Sequence, residues 1–510
     1  MSRAPDPFTS DVATTDRRTF LGLAAAAGAT LAAPDLLAAP LAKETVAFGF
    51  ANADLQAVLA VALSRGGDFA DLYFERTRSV SLTLEDDRIS RAHASSDLGV
   101  GVRVVKGDAV GYAFSEVLDI KAVKKAAATA AAIADGKAKP ELLPIEIAAL
   151  PTYYSRDFRF ANIDIDQKKK LVTEVNAKLK AKDPRVVKAS VQYADTDKEV
   201  FVVTSTGHAW RDHQPMTRLW ANCVAEDKGK RETGGYNIAS RKGFHIFDAT
   251  SVGRLVDEAV RRTVLMFDAV TPKGGEMPVV LGAGPSGILL HEAIGHGMEA
   301  DFNRKNTSVY ASKMGKPVAE KFVTIVDDGT LPDARGSIHI DDEGGQSQKT
   351  VLVDGGTLSS YLHDRISAKH YGVQPTGNGR RESFRHVVMP RMRSTYMLAG
   401  PHKKDEIIRS VKKGIYCESF SNGQVNIGAG DFTFFLKTGY LIEDGKLGRP
   451  VKDINLIGNG PDVLTKISMV ADDLQIDEGG WTCGKNGQSV PVSQGMPTVL
   501  VKAITVGGAA

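Results

Sequence analysis

The stretch FTFFLKTGYLIEDGKLGRPV, residues 432–451, decides how the second half of the chain folds. Two runs rich in aromatic and aliphatic residues flank Asp444-Gly445, and an Asp-Gly pair favours the tight turn of a two-residue β-hairpin. Similar strand-like runs with Asp-Gly or Gly-Gly turns recur at residues 321–329, 338–345, 349–362, 423–430 and 498–507. The sequence therefore predicts a largely antiparallel, β-rich domain over residues 271–510.

The first half of the chain has strands and helices in runs, which is typical of an α+β domain. Tight turns at Asp86-Asp87 and Lys106-Gly107 predict strand pairs, and residues 186–207 are predicted to form a hairpin. Apolar residues at helical spacing predict helices at 53–66, 119–136, 164–184 and 252–269. The character of the sequence changes near residue 270, so the predicted N-terminal domain covers residues 43–270.

The composition is that of an ordinary globular protein. The chain has 510 residues, of which 43% are hydrophobic and 25% charged, with a net charge of +3. This balance gives no support to nucleic-acid binding, which usually requires a concentrated basic patch. The three cysteines are far apart, so no disulfide framework is indicated, and we interpret Cys223 and Cys417 as buried, inert residues.

The N-terminus resembles an export signal. Consecutive arginines, Arg17 and Arg18, precede an uncharged apolar run from Phe20 to Ala33 and then alanine- and proline-rich sequence. This arrangement is typical of a twin-arginine signal, which we assign to residues 1–42. It predicts a periplasmic protein. The apolar run is too short to span a bilayer, so the mature chain is expected to have no membrane span.

The motif HEAIGH, residues 291–296, is the main candidate for chemistry. Two histidines four residues apart share one helix face and bind zinc with a neighbouring glutamate as base. Here His296 lies five residues after His291, which on a regular helix places the side chains about 140° apart. The pair still converges if the helix widens in a π-type turn, or if the helix ends at Gly295 and His296 enters from the cap.

A catalytic zinc site needs a third protein ligand. Glu299 and Asp301 are near in sequence and are candidates for ligation or for outer-shell contacts. Cys483, in the glycine-rich segment GGWTCGKNGQSVPV, is the more attractive candidate, because a thiolate binds zinc tightly and the glycines permit a tight turn.

A Gly-x-Gly-x-x-Gly pattern at residues 282–287 raises the alternative of dinucleotide binding. The fingerprint requires a crossover helix and a second parallel strand. The following stretch, FNRKNTSVYASKMGK, is polar and irregular, and the surrounding domain is predicted to be antiparallel. We therefore interpret the pattern as a glycine-rich turn that opens the HEAIGH helix.

A second cluster lies in residues 376–397. It includes Arg380, Arg381, Glu382 and His386. Such a segment is either a solvated basic loop or a loop that binds substrate by holding a carbonyl or carboxylate or stabilising an oxyanion.

Several motifs in order resemble one protein family. They are HEAIGHGMEADFNR, VDDGT, DDEG, PTGNGRRES, MPRM and CGKNGQSVPV. Together they look like the TldD branch of the TldD/PmbA metallopeptidases, also called modulator-of-gyrase proteins. The resemblance covers about residues 50–508. It implies that His291, His296 and Cys483 bind Zn²⁺ and that Glu292 is the general base that activates a zinc-bound water.

The resemblance also implies a fold, a substrate class and an assembly. The expected fold is an N-terminal α+β domain followed by a largely antiparallel, barrel-like β domain that carries the metal-site helix. The expected activity is hydrolysis of peptide bonds in peptides or unfolded polypeptide segments, with a non-catalytic peptide-binding or assembly subunit as the alternative. The expected assembly is a homodimer or a heterodimer with a PmbA-like subunit. Well-known members are cytoplasmic, so the cytoplasm is the alternative location.

Overall fold

The structure, a computed structural model, describes residues 48–508 apart from the side chain of Asn422. The predicted signal at residues 1–42 lies outside these residues. From Ala53 onward the chain forms one compact unit. Within the described residues, no helix combines the length and the apolar character needed to cross a bilayer.

The N-terminal part is one twisted, mainly antiparallel sheet with helices packed against it. Its strands are β1 (Phe69–Glu85), β2 (Arg88–Lys106), β3 (Ala109–Ser115), β4 (Glu146–Ile147), β5 (Val186–Thr204), β6 (His208–Asp227) and β7 (Lys230–Ser240). They lie in the order β3-β2-β1-β5-β6, and both β4 and β7 pair with β6. The turns predicted at Asp86-Asp87 and Lys106-Gly107 are confirmed as the β1–β2 and β2–β3 connections.

The four predicted helices of this part are also confirmed. They are α1 (Asn52–Leu63), α2 (Ile120–Ala131), α3 (Ile165–Lys182) and α4 (Ala249–Val264). Asp119, Asp164 and Asp248 cap the last three, because each carboxylate accepts a backbone N–H of the first turn. The apolar faces of α3 and α4 pack on β5 and β6 and form the core of this part.

The hairpin predicted within residues 186–207 is wrong, because β5 runs unbroken to Thr204 and turns only at residues 205–207. Polar residues at 195–198 look like a turn in sequence. In the structure Asp195 pairs with Lys168 at 2.6 Å and Asp197 with His213 at 2.9 Å. These partners satisfy the buried carboxylates, so the strand continues through them.

The C-terminal part contains the remaining strands, most of which are short. They are β8 (Gly275–Leu281), β9 (Ile325–Asp328), β10 (Lys349–Asp354), β11 (Thr357–Leu358), β12 (Gly379–Arg380), β13 (Met389–Pro390), β14 (Ser394–Met397), β15 (Lys413–Val425), β16 (Asp431–Glu443), β17 (Lys446–Val451), β18 (Asn455–Asn459), β19 (Ile467–Val470), β20 (Gln475–Ile476), β21 (Thr482–Lys485), β22 (Gln488–Pro491), β23 (Ser493–Met496) and β24 (Val499–Gly507). Short helices connect them: α5 (Ile288–Leu290), α6 (Ala300–Arg304), α7 (Arg365–Tyr371), α8 (Lys404–Ser410) and α9 (Gly460–Thr465).

Five of these strands close into a barrel in the order β15-β8-β24-β18-β16, with β16 returning to pair with β15. Only the β15–β8 pair within this ring is parallel. The hairpin at residues 432–451 is confirmed, since Asp444 and Gly445 join β16 to β17 with φ values of 47° and 72°. The predicted fold, an α+β domain followed by a barrel-like β domain, is therefore confirmed.

A second sheet, in the order β11-β10-β9-β14-β23-β20, lies in the same part of the chain. The strand predicted at residues 338–345 is wrong. Ile340 makes only an isolated bridge with Gln346, and the Asp341 carboxylate accepts the backbone N–H groups of Glu343 and Gly345. A side chain that satisfies its own backbone in this way favours a turn over a strand.

Candidate metal centre

The helix that carries HEAIGH widens where the second histidine comes late. After α5 the chain makes a π-helical turn at His291–Gly295 and then a 3₁₀ turn at His296–Met298. The N–H of His296 donates to the carbonyl of His291, five residues back. Both rings are buried, with centroids 5.0 Å apart. Of the two alternatives left open by the sequence, the π-type turn is the one observed.

Close packing supports this turn. Glycine is required at position 297, where a Cβ would lie 2.6 Å from the ring of Tyr310. The Tyr310 hydroxyl in turn donates to the carbonyl of Ala293 inside the π turn, at 2.9 Å. The Gly297 carbonyl accepts hydrogen bonds from Asn303 and Ser308. Hydrogen bonds to the carbonyls of Ala293 and Gly297 therefore fix the backbone before and after His296.

Cys483 lies close to the two histidines in space, although it is near the C-terminal end of the domain in sequence. It lies on β21, in the two-stranded ribbon β21–β22, and is buried. Its Sγ is 3.5 Å from Nε2 of His296, and the donor atoms of Cys483, His291 and His296 all lie within 4.8 Å of one another. A nitrogen and a sulfur on one tetrahedral zinc lie about 3.6 Å apart. The donor set and its spacing fit such an ion.

Glu299 is an outer-shell residue of this centre. Its carboxylate accepts the Nδ1–H of His296 at 3.0 Å, which leaves Nε2 facing Cys483. Lys485 lies 3.3 Å from Glu299 and 2.7 Å from Asp301, so Asp301 contacts the lysine rather than the donor atoms. Burial would raise the pKa of Glu299, but Lys485 and His296 lower it to about 2.

Electrostatics around Cys483 favour the thiolate. Burial by itself raises the pKa of the thiol, but the neighbouring His291 and His296 hold it well below its ordinary value. The pKa of His296 lies above its ordinary value, because Glu299 and Cys483 outweigh the opposing effect of burial. A thiolate is the form of cysteine that binds a metal.

Glu292 shares a cavity with the three donors. The cavity has a volume of about 580 Å³, and Gln424 and Trp481 contribute to its wall. Glu292 is half-buried. A carboxylate therefore faces the same space as the imidazole and thiol groups, which is the arrangement that proton transfer near a metal requires.

The predicted substrate-binding residues Arg380, Arg381, Glu382 and His386 do not line this cavity. They line a second cavity of about 660 Å³. Arg381 pairs with Asp71 at 2.9 Å, and His386 Nδ1 lies 3.0 Å from Ser383 Oγ. The structure thus brings together the predicted metal ligands and Glu292 and places the four loop residues elsewhere.

The remaining cysteines agree with the sequence interpretation. Cys223 and Cys417 are buried, and burial raises the pKa of both thiols. Sequence reasoning missed Lys485, although it lies two residues after Cys483 on the same strand. Alternate residues of a strand face the same side, so the two-residue spacing from Cys483 could have identified Lys485 as a neighbour of the centre.

A buried cluster of two imidazoles and one thiol, with a carboxylate beside it in a cavity, could hold a metal ion of the kind that metal-dependent hydrolases use. Three segments of the chain match known family descriptions: PmbA/TldA metallopeptidase domain 1 at residues 70–134, the central domain at 158–267 and the C-terminal domain at 274–508. The chain belongs to the PmbA/TldD metallopeptidase family, as its motifs predict. The exact domain boundary near residue 270 stays a prediction.

Individual relatives are similar over most of their length. The metalloprotease TldD homolog of Haemophilus influenzae is 42% identical over 451 residues, covering 87% of this chain and 94% of that protein. The zinc metalloprotease TldD homolog of Saccharolobus solfataricus is 28% identical over 446 residues, covering 87% and 97%. The family is thus one of metalloproteases, and a metal cofactor is supported for it.

Solved structures share the fold. A protein from Thermotoga maritima described as a putative modulator of a DNA gyrase has a TM-score of 0.73 at 22% identity, covering 89% of this chain and 99% of its own. TldE from Thermococcus kodakarensis has a TM-score of 0.71 at 19% identity, covering 89% and 100%.

Proposed function

We propose that this chain is a zinc-dependent metallopeptidase that hydrolyses peptide bonds in peptides or unfolded polypeptide segments. One observation carries the proposal: His291, His296 and Cys483 converge within 4.8 Å in a buried centre, and Glu292 lines the cavity into which that centre opens. The relative from Saccharolobus solfataricus, described as a zinc metalloprotease, supports zinc as the metal.

The protein groups have distinct roles in this reaction. When bound, zinc supplies Lewis acidity, which polarises a peptide carbonyl and makes a water molecule more acidic. The His291, His296 and Cys483 side chains would hold the ion, and Glu299 fixes the orientation of the His296 ring. Glu292 takes the proton of the attacking water and returns it to the leaving amine.

The test separates metal binding from chemistry. In Glu292→Gln, zinc content should stay near that of the unsubstituted protein, while cleavage of unfolded casein falls at least about 100-fold, the usual size of a general-base contribution. Glu320→Gln removes an exposed glutamate outside the cavity and is the matched control. Full activity in Glu292→Gln would exclude the assigned role of that residue.

Cys483 is tested by substitution with serine. A hydroxyl is a poor zinc ligand compared with a thiolate, so Cys483→Ser should lower zinc affinity strongly. Competition with a chromophoric chelator measures the affinity. Cys417→Ser is the control, because Cys417 is equally buried but lies outside the donor set. Unchanged zinc affinity in Cys483→Ser would remove this residue from the centre.

We further propose that the chain assembles as a dimer, either with itself or with a PmbA-like subunit. The shared fold of TldE from Thermococcus kodakarensis supports a partner of similar architecture. Native mass spectrometry of the protein purified from its own cells measures the assembly, and a monomer would contradict the proposal.

A further inference from the structure

The second cavity, which we call the basic cavity, adjoins the metal cavity across a thin wall. Thr482, the residue before Cys483, lines both cavities. Its ribbon partner Pro491 lines the basic cavity, and the next residue, Val492, lines the metal cavity. The ribbon β21–β22 that supplies a metal ligand is therefore also the partition between the two spaces.

Four buried arginines line the basic cavity, and three of them remain when Arg381, which pairs with Asp71, is set aside. Arg241, Arg335 and Arg380 are 2%, 9% and 4% exposed. Among the residues described, none of the three guanidinium groups has a carboxylate within the 4.0 Å of an ion pair, and the Nε atoms of Arg241 and Arg335 have no hydrogen-bond partner. Their hydrogen bonds go to backbone carbonyls, those of Pro215, Trp481, Met392 and Pro491.

The acidic residues of the basic cavity already have partners other than Arg241, Arg335 and Arg380. Glu75 pairs with Lys198, Asp97 with Arg385, and Asp342 and Glu382 accept the backbone N–H groups of Arg381 and Ser489. Six basic and four acidic residues line the cavity, so positive charge is in excess. A buried charge without a counterion is strongly destabilising, whereas an arginine–carboxylate pair is among the strongest polar contacts in proteins.

The charge state of these arginines supports anion binding at neutral pH. Burial, together with the neighbouring Arg218 and Arg241, lowers the pKa of Arg335 to about 9. Burial and the neighbouring arginines likewise lower the pKa of Arg380 to about 9. Both groups remain protonated at neutral pH, and a bound carboxylate would offset the repulsion that each experiences from Arg241.

We propose that the basic cavity is a substrate subsite that binds a carboxylate of the peptide, either its C-terminal carboxylate or an Asp or Glu side chain. Arg241, Arg335 and Arg380 hold the carboxylate while the scissile bond lies across the ribbon, beside the metal centre. The proposal rests on the proposed peptidase function. It makes this enzyme selective for peptides with a negative group a short distance from the cleaved bond.

Four peptides test the subsite in the zinc-loaded Glu292→Gln protein, which binds without cutting. All four have the same fluorescein-labelled sequence and differ at two places. The C-terminus is either free or amidated, and one internal position is either Glu or Gln. Fluorescence anisotropy should show that loss of the relevant carboxylate weakens binding about 10-fold or more, the effect of a charge-assisted hydrogen bond. The peptide that loses affinity identifies the source of the carboxylate. Equal affinity for all four would overturn the proposal.

Substitutions then locate the carboxylate. Arg335→Gln and Arg241→Gln, each added to the Glu292→Gln protein, should reduce the preference for the carboxylate peptide to below about 3-fold. Arg385→Gln removes equal charge from the same cavity, but its guanidinium is paired with Asp97 and Glu116, so the preference should persist. A preference that survives both buried substitutions would overturn the proposal.

The outcomes distinguish the subsite from the peptidase function. If Arg335→Gln and Arg241→Gln fail to fold, as judged by zinc content and circular dichroism, the four-peptide comparison still decides, because it leaves both arginines in place. If the unsubstituted enzyme cuts no peptide but carboxylate-dependent binding is present, the peptidase function fails and the subsite holds. If the unsubstituted enzyme cuts peptides but shows no preference for a carboxylate, the peptidase function holds and the subsite fails.

Discussion

Replacing Gly297 by alanine tests whether the packing around the π turn sets the geometry of the metal centre. The new Cβ would lie 2.6 Å from the Tyr310 ring, whereas ordinary contacts begin at 3.4 Å, so the two groups must separate by about 0.8 Å. Tyr310 is buried and bonded to the carbonyl of Ala293, so the displacement passes to the π turn or to His296. Alanine otherwise favours helix over glycine by about 1 kcal/mol, but overpacking costs about 1–3 kcal/mol.

Zinc affinity is the sensitive measurement. Metal–ligand distances tolerate deviations of about 0.2 Å, so a displacement several times larger should weaken zinc binding at least about 10-fold in Gly297→Ala. Chelator competition measures the affinity, and circular dichroism confirms the fold. Gly484→Ala is the matched control, since Gly484 neighbours Cys483 but has no atom within 4 Å of the added Cβ. A folded Gly297→Ala protein with zinc affinity within twofold of the unsubstituted protein would refute the reasoning.

Three further predictions concern pH, stability and export. Burial lowers the pKa of His363 to about 4, so its neutral form contributes stability above about pH 6.5 that is lost as the pH falls to about 4. In His363→Leu, the difference between the free energies of urea unfolding at pH 7 and pH 4.5 should shrink by up to about 3 kcal/mol. His208 is exposed, so His208→Leu should retain the full difference. An unchanged difference in His363→Leu contradicts the assignment. Gly253→Ala, in open space on α4, should raise the free energy of unfolding by about 0.5–1 kcal/mol; a lower melting temperature would argue against this. We propose twin-arginine export, so a reporter fused behind residues 1–50 should reach the periplasm. The same fusion should remain in the cytoplasm when Arg17 and Arg18 are both replaced by lysine. An unsubstituted fusion that stays in the cytoplasm rejects the proposal.

Features decided by neighbouring residues were predictable from the sequence. The Asp444-Gly445 turn is an example, because its positive φ values are intrinsic to that pair of residues. The cap at Asp119 is another, since a carboxylate before an apolar period satisfies free N–H groups whatever the tertiary context. The metal ligands followed from the family resemblance, since spacing by itself left the helix geometry open.

Features that depend on distant partners were not predictable in this way. Asp195 and Asp197 look like a turn in the sequence, but within the sheet they pair with Lys168 and His213. The buried arginines of the basic cavity also have no local signal. Arg241 and Arg335 come from separate parts of the chain, and only the tertiary fold shows that neither forms an ion pair with a carboxylate of residues 48–508.

His296 and Cys483 are 187 positions apart in the chain, so the proposed metal centre can be completed only late in synthesis. The ribosome makes both histidines near the start of the C-terminal domain, but the third donor follows only after nearly the whole domain has been translated. On the proposed zinc function, tight binding would therefore require a chain that has reached Cys483, and chains truncated before it would lack the cross-link between the two ends of the domain.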